Sequence, residues 1–119
     1  MFTDKRRGDV WYMRDTAHKP ENTKLLRGDR PVVIVSSDRV NQSGSLVLVI
    51  PLSSSPAQLA RGEGTFDMVR ITGYPGVPSM VMPRQIHAVD AADLDDYWYH
   101  LSDDDMRRVD DALHRTLGI

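Results

Sequence analysis

Apolar positions are densest between residues 30 and 53 (RPVVIVSSDRVNQSGSLVLVIPLS), where two runs flank a polar stretch. Residues 32–35 and 46–50 are almost wholly β-branched or leucine, so they predict two strands buried on both faces. Asn41, Gln42, Ser43 and Gly44 between them predict the turn of an antiparallel hairpin. In such a hairpin the start of one strand lies beside the end of the next, so Arg30 and Ser53 are expected at one rim of the sheet. Pro31 lacks an N–H and restricts the residue before it, which suits the first position of a strand and holds Arg30 in extended backbone.

The remaining pattern is largely strand-like. Residues 8–14 (GDVWYMR) set Val10 and Tyr12 against Trp11 and Met13 and predict a first strand pairing with the hairpin. Residues 15–29 are polar apart from Leu25 and Leu26 and predict a long loop, a kind of segment more often functional or mobile than idle. A second polar, flexible segment spans 53–64, followed by a strand over 65–72 and a turn at 73–76. Residues 79–89 predict a strand carrying Gln85, with Pro83 marking an edge or a bulge. A last short strand is expected at 97–101, after a loop or single turn near 90–94. Ser102 and three aspartates then start a helix, Met106, Val109, Ala112, Leu113 and Leu117 recur at helical spacing, and Gly118 ends it.

These elements predict a mainly β fold, a small, strongly curved antiparallel barrel of five or six strands with one C-terminal helix. One helix covers one apolar patch. Leu46, Leu48 and Met82 would remain uncovered, which predicts a homodimer. With 119 residues and 40% hydrophobic content, residues 1–119 are expected to form a single domain.

The chain has no cysteine, which fits a reducing cytoplasm and removes disulfides and thiolate chemistry. No apolar run approaches the roughly 18 residues of a membrane span, and the amino end lacks a signal-peptide core, so a soluble cytoplasmic protein without a membrane partner is expected. The net charge of −2 is unevenly divided. Residues 1–30 carry eight Lys or Arg against five acids, whereas residues 90–119 carry three against nine, so a basic surface remains available outside the tail.

Neither a nucleotide-binding glycine pattern, metal-spaced histidines nor a nucleophile elbow is present. Asp103, Asp104 and Asp105 are better explained as helix capping than as a metal site, so no metal or cofactor is expected. The candidate chemistry lies instead in Arg30 and Ser53 at the hairpin rim. His18 in the first polar loop, Ser54 in the second, and Arg84 and Gln85 in the later strand are further candidates.

Taken in order, GDVW, a polar loop, RPVVIVSSDRVN, VLVIPLSSS, RQIHAVD and LHRTLGI resemble the MazF/PemK family of toxin ribonucleases over nearly the whole chain. The pieces that carry the resemblance are the Arg30–Pro31 opening, the Asn41 turn, the hydroxyl of Ser53 and the set of Gln85, Ile86 and Asp90. It implies an SH3-like barrel of the CcdB/PemK type, a homodimer, and metal-independent cleavage of single-stranded RNA at short sequences. It also implies restraint by a cognate antitoxin with an acidic or amphipathic segment, with operator DNA contacted only through that antitoxin.

On this resemblance Arg30 and Ser53 would be catalytic and Gln85 would contact substrate; His18, Ser54 and Arg84 are expected to contact substrate on their own chemistry, Arg84 standing where the family often has an acid. The loop HKPENTKLLRGD replaces the family's common Ser-Glu-Gln stretch, and Met82 stands where one branch has a catalytic arginine.

RNA carries its own nucleophile, the 2′-OH, so an enzyme needs to align it, stabilise the added charge and move two protons. The Arg30 fork suits the charge, Ser53 would bond the same phosphate, and His18 would be a proton partner. Two rivals share the architecture. A gyrase-poisoning CcdB-like protein would need a Trp-Gly-Ile type of ending, whereas this chain ends Leu117, Gly118, Ile119. A catalytically idle RNA-binding module would stack bases on Trp11, Tyr12 or Tyr74, residues that core packing also explains.

Overall fold

Strict alternation in the first strands gives the sheet an apolar layer on each face. The computed structural model describes residues 4–15, 21, 23–26, 28–72 and 76–119; His18 and Tyr74 lie outside them. Strands β1 (Asp9–Met13), β2 (Arg30–Ile34) and β3 (Leu46–Ser53) are antiparallel neighbours, and β1 pairs on its other edge with β7 (Leu94–His100). Val10, Val33, Ile50 and Leu52 point into one core, while Trp11, Met13, Val32, Ile34, Val47 and Val49 point into the other. Burying β2 on both faces is why it reads as an unbroken apolar run.

The free edge of β3 is divided. Its first half pairs with β6 (His87–Asp90) and its last two residues with β5 (Pro78–Val81), which in turn pairs with β4 (Val69–Thr72). The change of partner falls at Pro51, which has no N–H to offer and whose carbonyl accepts from Met82 N at 3.2 Å. Between β5 and β6 the chain makes one 3-10 turn, Pro83–Gln85. The continuous strand expected over 79–89 is therefore two strands, because Pro83 breaks the ladder more severely than an edge or bulge would.

Helix α3 (Asp103–Leu117) packs Val109 and Ala112 into the first core, capped by Ser102, which accepts from Asp105 N at 3.1 Å, and ended by Gly118 in the left-handed region. The result is a mainly β, curled antiparallel sheet with a C-terminal helix.

Three connections differ from expectation. The hairpin joint is not a tight turn but a helix, α1 (Asp38–Ser43), capped by Ser37. Asn41 is buried there; it accepts from the Ser36 hydroxyl and donates to Ser36 O at 3.1 Å, while that hydroxyl receives Leu48 N at 3.0 Å. The segment expected to be flexible after Ser53 contains α2 (Pro56–Arg61), with Ser55 as cap and proline in its first turn. The strand expected from residue 65 begins at Val69, preceded by a 3-10 turn, Thr65–Asp67. Nor is β3 buried on both faces throughout: Leu46 and Leu48, on the side shared with Ile50 and Leu52, are 55% and 40% exposed.

Candidate active site

Pro31 sets the departure of Arg30, and strand register sets its neighbour. Val32 pairs with Pro51, so continuing the ladder by two residues brings Arg30 opposite Ser53. Alternation puts both on the face of Val32 and Val49. Arg30 is half-buried and donates from Nη1 to Leu52 O at 3.3 Å. Burial pushes its guanidinium below the ordinary arginine value, against the opposing pull of Asp15 and then Tyr12. Asp15 is itself tied across the base of the loop: its N–H donates to Asp29 Oδ1 at 2.8 Å and its Oδ2 accepts from Gly28 N at 2.7 Å.

Arg30 lines a cavity of about 580 Å³ together with Met13, Pro51, Arg84, Gln85 and His87. The cavity is not uniformly basic. Arg14, Arg30 and Arg84 share it with Asp15, Asp90 and Asp93, and Arg14 is already paired with Asp95 at 2.8 Å. A phosphate entering here would be attracted by Arg30 and Arg84 and repelled by the aspartates.

The sequence-predicted residues are only partly assembled. Arg30, Arg84 and Gln85 share the cavity; Ser53 and Ser54 are not among its lining residues. Ser53 is buried and its Oγ accepts from Ser55 N at 3.3 Å, at the entry to α2, whereas Ser54 is exposed. Gln85 uses both ends of its amide within the chain, accepting from Leu26 N at 2.8 Å and donating to Lys24 O at 3.2 Å.

Among the described residues, the histidine lining the cavity is His87, which sequence reasoning passed over. Its Nδ1 lies 2.8 Å from Gln85 O. A carbonyl only accepts, so Nδ1 is the donor in this contact, which leaves Nε2 as the ring nitrogen facing away from it. Its position two residues after Gln85, where the strand resumes, was the available signal.

A second cavity of about 670 Å³ adjoins the first, sharing Leu25, Arg84 and Gln85 with it. Phe66 lines it, half exposed, with φ 51° and ψ 34°. A left-handed backbone at a bulky residue costs about 1–3 kcal/mol. The turn is held by Asp67 N to Gly64 O at 3.2 Å and Met68 N to Thr65 O at 3.0 Å. The guanidinium carbons of Arg84 and Arg61 lie 5.3 and 5.8 Å from the Phe66 ring centroid.

The sequence model for the PemK-like, MazF-like toxins of type II toxin–antitoxin systems matches residues 6–117. The chain belongs to this family. Solved structures agree on the fold. A MazF from Deinococcus radiodurans superposes with a TM-score of 0.74 at 19% identity, covering 96% of each chain. An endoribonuclease from a mycobacterial species, in complex with its cognate antitoxin, gives 0.71 at 20% identity over 99% of this chain and 97% of its own. The Mycobacterium tuberculosis toxin MazF-mt6 gives 0.70 at 16% identity over 93% and 97%. Among the described residues of this family member, no helix is long and apolar enough to cross a membrane.

Proposed function

We propose that this toxin is an endoribonuclease that cuts single-stranded RNA at short sequences without a metal ion. The observation that carries this reading is the half-buried Arg30 guanidinium lining the first cavity, held against Leu52 O. Membership of the toxin family supports it.

In the reaction the 2′-oxygen attacks the adjacent phosphorus, the bond from phosphorus to the 5′-oxygen breaks, and a 2′,3′-cyclic phosphate and a 5′-hydroxyl result. Charge grows on the non-bridging oxygens. A preorganised arginine fork meets that charge and contributes on the order of 10² to 10³ in rate. Nε2 of His87, which lines the cavity with Asp15, Asp90 and Asp93, would take the 2′-OH proton, and the departing 5′-oxygen takes its proton from water. Ser53 supports the rim by holding the entry to α2, and Gln85 positions the 23–26 loop beside the bound strand.

The exposed pair Leu46 and Leu48 supports a homodimer, whereas Met82 is half-buried and lines the second cavity. Leu48→Glu should lower the solution mass at micromolar concentration from dimer to monomer; an unchanged mass argues against this face. A cognate antitoxin, as in the mycobacterial complex, would compete with RNA through an acidic or amphipathic segment and contact operator DNA itself.

The deciding experiment incubates the purified protein with single-stranded RNA in EDTA. Discrete fragments with cyclic-phosphate ends are expected. Intact RNA, or cleavage only after a divalent ion is returned, contradicts the reading.

A further inference from the structure

The second cavity differs from the first in charge. Lys24, Arg61 and Arg84 line it, and among the described residues no carboxylate does. Phe66 belongs to neither core cluster, is 51% exposed and is held in a backbone region that asparagine or glycine would occupy with less strain. Packing therefore does not account for a phenyl ring at this position. A flat aromatic face beside cations, open to solvent, is the arrangement by which proteins hold unpaired bases.

We propose that Phe66 is a stacking platform for an unpaired base flanking the cleaved bond, a specificity subsite that rests on the ribonuclease reading above. The two cavities share Leu25, Arg84 and Gln85, so one strand of RNA can occupy both. The two arginines differ in tether. Arg84 is paired with Asp67 at 3.3 Å, whereas among the described residues Arg61 has no carboxylate within salt-bridge distance. A base entering the cavity displaces the Arg61 guanidinium from the ring, and Arg61 then meets the phosphate of that nucleotide. Arg84 stays on Phe66 and completes the stack.

The test uses an oligoribonucleotide spanning a site that the wild-type protein cuts, with a 2′-deoxy sugar at the scissile nucleotide and 2-aminopurine at each flanking position in turn. One position should be quenched on binding. Phe66→Ala should abolish that quench and weaken binding about five- to a hundred-fold, in line with stacking on an aromatic ring. Phe66→Tyr should retain both. Phe66→Asn, which suits the left-handed backbone, should melt at or above the wild type yet bind as weakly as Phe66→Ala.

If Phe66→Ala and Phe66→Asn bind within twofold of wild type, or no position is quenched, the stacking subsite is wrong while wild-type cleavage leaves the ribonuclease reading standing. If the wild-type protein neither cuts nor binds RNA, that reading fails and the subsite with it.

Discussion

Gln85 ties the loop of Leu26 to the sheet: one side-chain amide accepts from Leu26 N at 2.8 Å and donates to Lys24 O at 3.2 Å. Gln85 stands on the Pro83–Gln85 turn, where the edge of β3 passes from β5 to β6, so a break in strand pairing is also the anchor of the loop between the two cavities.

Gln85→Ala should free this loop. Each hydrogen bond contributes about 1 kcal/mol net, so the loop should open roughly ten-fold or more often. Hydrogen exchange at the Leu26 amide should accelerate accordingly, and KM for RNA should rise more than kcat falls. An unchanged exchange rate at Leu26 would show that the loop is held by other contacts.

Ser53 has a different relation to the rim. Its hydroxyl is buried on Ser55 N at 3.3 Å, so Ser53→Ala should cost about 1 kcal/mol in denaturant unfolding through an amide left unpaired. Its activity loss should be far smaller than that of Arg30→Ala. Ser53→Thr keeps the acceptor and restricts its rotamer, so activity should stay within a few-fold of wild type. A loss in Ser53→Ala as large as that in Arg30→Ala, with unchanged stability, would instead put the hydroxyl on the substrate.

Tyr99, packed against the first core, has its phenol pushed up to about 12 by burial, with the charge of Asp105 adding to the effect. The unfolded chain, with an ordinary value of about 10, therefore loses this proton first. Above that pH the folded state binds more protons than the unfolded state, so stability falls as pH rises from about 10 to about 12 and is unaffected by this group below. Tyr99→Phe should show a shallower decline in urea midpoint across that window. A decline parallel to wild type would refute the assignment.

How much of this was legible follows from the kind of signal each residue carries. The strands around Val32 and Val49 and the α3 cap at Ser102 were readable because burial and capping leave local patterns. Arg30 was readable because Pro31 fixes its backbone and strand register sets the residue opposite. Helix α1 was not read, since it is six residues long, too short for apolar periodicity, and its polar residues Asn41 to Ser43 read equally as a turn. Helix α2 carried the Ser55–Pro56 start signal but is too short for apolar periodicity. His87 and Phe66 escaped because neither belongs to a motif, the spacing of His87 from Gln85 being a weak signal. One is brought to the cavity by the turn at Pro83, and the other is exposed by a backbone angle that no sequence pattern announces.

The central claim is that Arg30 supplies the main stabilisation of the transition state, and the cleavage rate of Arg30→Ala tests it most directly. With thermal melts matched to wild type, the rate on single-stranded RNA in EDTA should fall by roughly 10² or more. Arg30→Lys should recover little, because lysine keeps the charge but not the fork. Wild-type rates in a folded Arg30→Ala protein would contradict the account and leave Arg30 as a rim residue held by Leu52 O and the field of Asp15.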